Sequence, residues 1–290
     1  MSFPTPEVVA GRANVHVKLK QLKARYEANE ASRPEFDSEK QFTMTKTVKP
    51  DWKPGDGASD DDWTKHSKIT IDPLSPSISG MEAYKLLISA IVPRPIAFLS
   101  TLSADGKTAN LAPYSYFEVL ANDPPTFVVS VSQGMKDTLK NLLETKEGVL
   151  NVISEWFIDA ANYTSVDAPP GVSEWELSGL HKEPSKFVKP ACVAESAFNI
   201  EVKLVNSFEI ESLRTPGTIV SHICILQGLC FHAREDVLNK DSTTLDLAKL
   251  KPVGRAGGIT YLRASDGFEV PRYSYAQQCE DVPGVKDLGK

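Results

Sequence analysis

Four cysteines in 290 residues, with no Cys-x-x-Cys spacing among them, do not form a redox or zinc motif and read as reduced thiols. The five histidines are equally scattered, so no metal is expected. No uninterrupted apolar segment approaches the roughly 20 residues of a membrane span, and no basic start precedes an apolar signal core. Positive charge is not in excess. The 32 Lys+Arg against 38 Asp+Glu leave a formal net charge of −6, which argues against nucleic acid or an acidic membrane as a partner. There is no Gly-x-Gly-x-x-Gly after a strand, no P-loop and no nucleophile elbow, so a dedicated Rossmann site is not expected. What remains is an ordinary cytoplasmic composition, 41% hydrophobic and 24% charged, in a chain long enough to bury a substantial core.

The informative stretch runs from Val92 to Gly148. Ile96 to Leu102 is apolar and β-branched, and Ser103-Ala-Asp-Gly106 supplies the turn that reverses the chain into Thr108 to Leu111, a hairpin. Pro124-Pro125 fixes the entry to Phe127–Val131, a nearly continuous apolar run of the kind buried on both faces. Gly134 then breaks the strand, Asp137 takes the N-cap position of a helix, Leu139, Leu142 and Leu143 form its core stripe, and Gly148 is its stop. The start of that helix suits an anion: free N–H groups, the positive end of the dipole, the Lys136 charge and the Thr138 hydroxyl converge there. The Asp137 carboxylate opposes this unless it turns back as the cap, so an ordinary surface helix is an equal reading.

Upstream, Ser79-Gly-Met-Glu82 is a capping box opening a helix Met81–Ile91 with Tyr84, Leu87, Ile88 and Ile91 as its buried stripe, ended by Pro93. Arg94, between two prolines, is either a held cation or an ordinary paired arginine. Downstream, Gly148–Ser154 reads as a strand, Glu155–Tyr163 as a helix and Ser165–Lys186 as a long functional or interface loop. Phe198–Ile210 is a strand with Asn199, Glu201 and Lys203 on one face and Phe198, Ile200, Val202 and Leu204 on the other. Thr218–Phe231 is the next strand and holds His222; if it is unbroken, Cys224 and Cys230 share a core face. Many short strands with few helices indicate a mainly β barrel with helical additions. Before it, residues 1–68 combine an amphipathic helix (Val15, Leu19, Leu22, Tyr26) with a linker-like stretch that Phe42, Trp52 and Trp63 pin to a surface.

Taken together, Val92-Pro-Arg-Pro-Ile-Ala-Phe-Leu-Ser-Thr101, Asn110-Leu-Ala-Pro-Tyr-Ser115, Asp123-Pro-Pro125 and Lys136-Asp-Thr138 strongly resemble the flavin reductase-like, FMN-binding split-barrel family. The likeness extends to Pro170-Gly-Val-Ser-Glu-Trp175, Ser178-Gly-Leu180 and Arg255-Ala-Gly-Gly-Ile-Thr-Tyr261. It implies a split-barrel domain over 69–272, between an N-terminal extension (1–68) and a C-terminal tail (273–290). It further implies a homodimer holding FMN, or alternatively FAD, at the subunit interface, with NAD(P)H as reductant and a partner oxygenase as one acceptor. By resemblance the flavin site draws on Thr101, Asn110, Ala112, Ser115, Ser130, Ser132, Lys136, Asp137 and Thr138, with Arg94 and Arg255 as candidate cations. Taken singly, Ser130 and Ser132 also read as plain hydroxyls at a strand end, and Trp175 as either a stacking ring or a loop anchor. The C-terminal Pro271-Arg-Tyr-Ser departs from the Arg-Pro of relatives, which puts any contact there in doubt. Without a Rossmann site, a nicotinamide has to stack directly on an exposed flavin, and no acid or base is strictly needed. A flavin carrier serving a partner is the alternative function.

Overall fold

The computed structural model describes residues 24, 26–132, 134–169 and 171–277. Val15, Leu19 and Leu22 of the expected first helix lie outside the described residues; 26–30 are helical. The chain divides into two compact units, 1–41 and 42–290.

The second unit begins with the short strand β1 (Thr43–Thr45), followed by the helix Gly80–Ala90. Then come β2 (Ala97–Leu102), β3 (Ala109–Tyr114), β4 (Phe117–Asn122), β5 (Pro125–Ser132) and the helix Asp137–Thr145. β6 (Glu147–Asn151), the helices Ile158–Tyr163 and Glu174–Ser178, β7 (Lys182–Glu183) and β8 (Cys192–Val193) lead to two long strands, β9 (Phe198–Glu211) and β10 (Ile219–Ala233). β11 (Val253–Arg255) pairs with β12 (Tyr261–Arg263), and β13 (Asp266–Phe268) pairs in parallel with β1.

Seven strands make one antiparallel sheet in the order β3-β2-β6-β9-β10-β5-β4. The hairpin read from Ser103-Ala-Asp-Gly106 is its β2–β3 corner, where Ser103 Oγ donates to Asp105 at 2.6 Å and Gly106 takes φ +72°. Leu99, Val129, Val131, Val202, Cys224 and Leu226 face inward at 0% exposure, and Leu139 and Leu142 of the Asp137–Thr145 helix plug the same core. Each such aliphatic side chain contributes about 1.5–3 kcal/mol by leaving water. A second layer, with Phe98, Leu111, Phe157 and Trp175, covers the outer side of β2 and β3.

Several local expectations are corrected. β5 alternates instead of burying both faces: Phe127, Val129 and Val131 are buried while Val128, Ser130 and Ser132 are half-buried. The N-cap is Lys136, which makes no side-chain cap bond, and Asp137 is the first helical residue. The helix stops at Lys146 in the left-handed region (φ 61°); Gly148 instead belongs to β6, where a Cβ would lie 3.3 Å from Leu99, Leu142 and the Ser100 carbonyl. In β9 both faces are buried between Asn199 and Val202. Cys224 and Cys230 do not share a face, because the β9–β10 register shifts between Gly228 and Cys230, leaving Leu229 as an extra residue. Trp63 is 72% exposed, whereas Trp52 meets Tyr273 at 6.5 Å.

The capping box is present: Ser79 Oγ accepts from Glu82 N, and the Glu82 carboxylate accepts from Ser79 N at 2.8 Å. Ser79→Ala is expected to destabilise the protein by about 1 kcal/mol, read by urea denaturation. A change under a few tenths would show that the box is idle. The stripe of this helix is not buried as expected, for only Ile88 is (5% exposed); Tyr84, Leu87 and Ile91 are 48%, 53% and 57% exposed.

Candidate functional site

A cleft of about 610 Å³ opens where edge strand β3, the end of β5 and the start of the Asp137–Thr145 helix meet. Asn110, Ala112, Ser115, Ser130, Ser132, Lys136, Asp137 and Thr138 all line it, so the structure brings these sequence-derived positions together. They are separated by up to about thirty residues in the chain, and the β2–β3 and β5–β10 pairings carry them to one rim.

Each side chain has a definite place. Asn110 Nδ2 donates to Thr138 Oγ1 at 2.6 Å, while Asn141 Nδ2 donates to Thr101 Oγ1 at 3.1 Å. Thr101 is fully buried and Thr138 is 1% exposed, so Thr101 stands behind the wall and braces it. Ser130 Oγ and Ser221 Oγ are 2.5 Å apart, joining β5 to β10. At the helix start the first backbone N–H groups have no intrahelical partner, and Lys136 Nζ lies 3.5 Å from Asp167 across the mouth. Lys136 is 44% exposed at its side chain, which leaves it free to change partner.

The two arginines lie elsewhere. Arg94 is 7% exposed and donates to the carbonyls of Ile88 (2.6 Å), Ile91 (2.7 Å) and Ala256 (2.9 Å), tying the end of the Gly80–Ala90 helix to the glycine-bearing segment after β11. It lines a separate apolar groove of about 340 Å³, shared with Ser115. The Arg255 guanidinium stacks on Tyr261 at 4.4 Å and donates to Gly258 O at 2.8 Å, lining neither cavity. Trp175, at 3% exposure, anchors the loop on the barrel.

Sequence reasoning missed part of the wall. Tyr84, Tyr114, Tyr116, Glu174 and the Thr164–Ala168 segment also line the cleft. Tyr114 and Glu174 sit inside motifs already visible, and Ser165–Ala168 opens the loop read as functional or interface, though no residue of it was singled out for the site. Burial pushes the Tyr114 phenol up to about 12, against a hydrogen bond from Thr138 that lowers it. Burial likewise raises the Glu174 carboxyl above the ordinary carboxylate range, with the Asp137 charge adding to it and the Leu111 N–H opposing.

The cleft suits a phosphorylated flat ligand: N–H groups and a lysine at one end, hydroxyls along the floor, tyrosines at the rim. A sequence profile for the flavin reductase like domain matches residues 89–244, more than half of the chain. The chain belongs to this family. It is 35% identical over 189 residues to an uncharacterised protein of Aquifex aeolicus, covering 64% of this chain and 91% of that one. Nitrilotriacetate monooxygenase component B from Bacillus cereus superposes with a TM-score of 0.66 at 30% identity, over 71% of this chain and all of that one. The 2-nitrobenzoate 2-nitroreductase of Pseudomonas fluorescens gives 0.63 at 25% identity, over 72% and 97%. The architecture is the mainly β split barrel of flavin reductases.

Among the described residues, Glu201, Cys230 and His232 bring ligand-type atoms within 4.8 Å of one another. The Glu201 carboxylate, however, already accepts from three backbone N–H groups and from His232. Its lone pairs are taken by protein donors. No helix of the described residues is long and apolar enough to cross a membrane.

Proposed function

We propose that this flavin reductase-like protein binds FMN in the cleft at Asn110–Thr138 and transfers hydride from NAD(P)H through it. The observation that carries the reading is one cavity lined at once by Ser130, Ser132, Lys136 and Thr138, at the N-terminal end of a nine-residue helix. Its size falls in the range of about 300–1,000 Å³ typical of small-ligand sites. The bound flavin supplies the two-electron chemistry, and the chain supplies binding and orientation. Lys136 and the helix N–H groups hold the phosphate, Ser130 and Ser132 the ribityl chain, and the tyrosines border the ring. The hydroxyl of Thr138 accepts from Asn110 and donates to the Tyr114 phenol, which fixes the cleft wall on which the flavin would rest.

The same reading includes a homodimer. Tyr84 lines the cleft from the Gly80–Ala90 helix, whose neighbouring Met81, Leu87 and Ile91 are 53–60% exposed, an apolar face that a second copy would cover. The alternative, a flavoprotein that passes electrons to a partner oxygenase, is favoured by the likeness to a monooxygenase component B.

The visible spectrum of the purified protein with FMN, followed anaerobically through NADH and then NADPH addition, is expected to show flavin bands that bleach with one donor. Persistent bands would favour the carrier; failure to take up FMN would end the flavin assignment.

A further inference from the structure

Two acids are buried among the described residues, Glu174 and Glu201. Glu201 is saturated by protein donors, but Glu174 lines the cleft while remaining 7% exposed. It opens the helix Glu174–Ser178, and its Oε2 accepts the Leu111 N–H at 3.2 Å. Beside it Ser173 Oγ donates to the Ala109 carbonyl at 2.5 Å. The two side chains dock the short helix on the free edge of β3. That accounts for one hydrogen bond to the carboxyl; it does not require a charge, because an amide oxygen would accept the same N–H equally.

The surroundings set the charge balance. Asp137 faces Glu174 from the first turn of the Asp137–Thr145 helix, Asp167 comes from the Thr164–Ala168 wall, and Tyr114 from β3. Glu176, on the same short helix, is exposed. The cation lining the cleft is Lys136, already paired with Asp167 at 3.5 Å. A dianionic phosphate arriving at this helix start therefore adds negative charge where carboxylates outnumber the lysine. Of these acids the buried Glu174 is the one that desolvation already favours in its neutral form.

Building on the flavin reading above, we propose that Glu174 takes up a proton when the cleft takes up the flavin phosphate, so that retention of a phosphorylated flavin is proton-linked while retention of riboflavin is not. Glu174 thereby discriminates between flavins by their phosphate as a function of pH. It acts as a positioning and specificity residue, with no part in electron transfer.

The test measures dissociation constants of FMN and riboflavin for the full-length apoprotein by flavin fluorescence, from about pH 6 to 8.5, in the parent and in Glu174→Gln. The phosphate's own ionisation, near pH 6, is common to both proteins and cancels in their ratio. Linkage of one proton changes an affinity by up to about tenfold per pH unit. The expected result is that FMN affinity of the parent falls about tenfold relative to Glu174→Gln as the pH rises across this range, with riboflavin changing less than about twofold. Should Glu174→Gln fail to fold, the parent alone decides: at about pH 8, where the phosphate is already dianionic in solution, titration calorimetry in buffers of different ionisation enthalpy is expected to show net proton uptake with FMN and none with riboflavin. Equal FMN profiles in parent and variant, equal slopes for the two flavins, or no proton uptake would overturn the proposal with the flavin reading intact. Failure of both flavins to bind at every pH would overturn that reading and the proposal with it.

Discussion

Glu201→Ala is expected to lower stability by about 3–5 kcal/mol, the cost of removing one side of a buried charged network. In a chain of this size that is a fall in thermal midpoint of roughly 6–20 °C. The side chain is fully buried, and its two oxygens accept Lys186 N (2.6 Å), Phe187 N (2.6 Å), Val188 N (3.0 Å) and His232 Nε2 (2.6 Å). Alanine leaves three backbone donors of the 186–188 turn without an acceptor and detaches that turn from β9. Against a total stability of about 5–15 kcal/mol for ordinary domains, such a loss is severe. Burial pushes the Glu201 carboxyl up, but the backbone donors and His232 outweigh it and hold the group below its ordinary value of 4.5. A depressed value means that the carboxylate stabilises the fold above that ordinary value and loses its contribution as the pH falls through the lower folded one. The stability gap between the parent and Glu201→Gln is therefore expected to narrow under acid conditions. An alanine variant melting within a degree or two of the parent would show that the turn finds other acceptors.

Lys136→Ala is expected to weaken FMN binding by about 10–100-fold, the worth of one charge-assisted hydrogen bond. Riboflavin, which carries no phosphate, is expected to bind both proteins alike. The variant is informative because the fold asks little of this side chain: Lys136 caps the helix without a side-chain hydrogen bond, and its partner Asp167 is 97% exposed. An exposed pair of that kind contributes little stability, so a loss of affinity reports on the ligand. Parallel weakening of FMN and riboflavin would move the phosphate away from the helix start.

The strands β2, β3, β5, β6, β9 and β10, the β2–β3 turn and the Ser79 capping box were legible because each is written in a few adjacent residues, whereas β4 was not read. Asn110, Ala112, Ser115 and Lys136–Thr138 were picked out as candidates through their resemblance to a family, and they line one cleft. What escaped depends on partners distant in the chain. The extra residue at Leu229, which turns Cys230 away from the core, exists only relative to the register of β9. The burial of Asn199 and Glu201 follows from the 182–193 segment folding over β9, where Asn199 donates to the Val193 carbonyl at 3.2 Å and Glu201 accepts the 186–188 N–H groups. An alternating pattern of polar residues signals a solvent face unless such a cover arrives. For Arg94 the sequence left a held cation and an ordinary paired arginine equally open, because nothing local reveals the three carbonyls that consume it.

The two ends of the large sheet are unlike, and this bears on how the protein behaves when concentrated. A bare edge strand is a template on which another molecule can add a strand. At β3 that row is occupied: Ser173 and Glu174 take the Ala109 carbonyl and the Leu111 N–H, and Pro113, two residues on, has no N–H to offer. Among the described residues β4, at the opposite end, is the more open edge and carries Val119 and Leu120 at 57% and 53% exposure. Its defences are the neighbouring Glu118 and the register break between Val119 and Ala121. Self-association by strand addition therefore has β4 as its starting edge, and a lysine at Leu120 is the change that would close it.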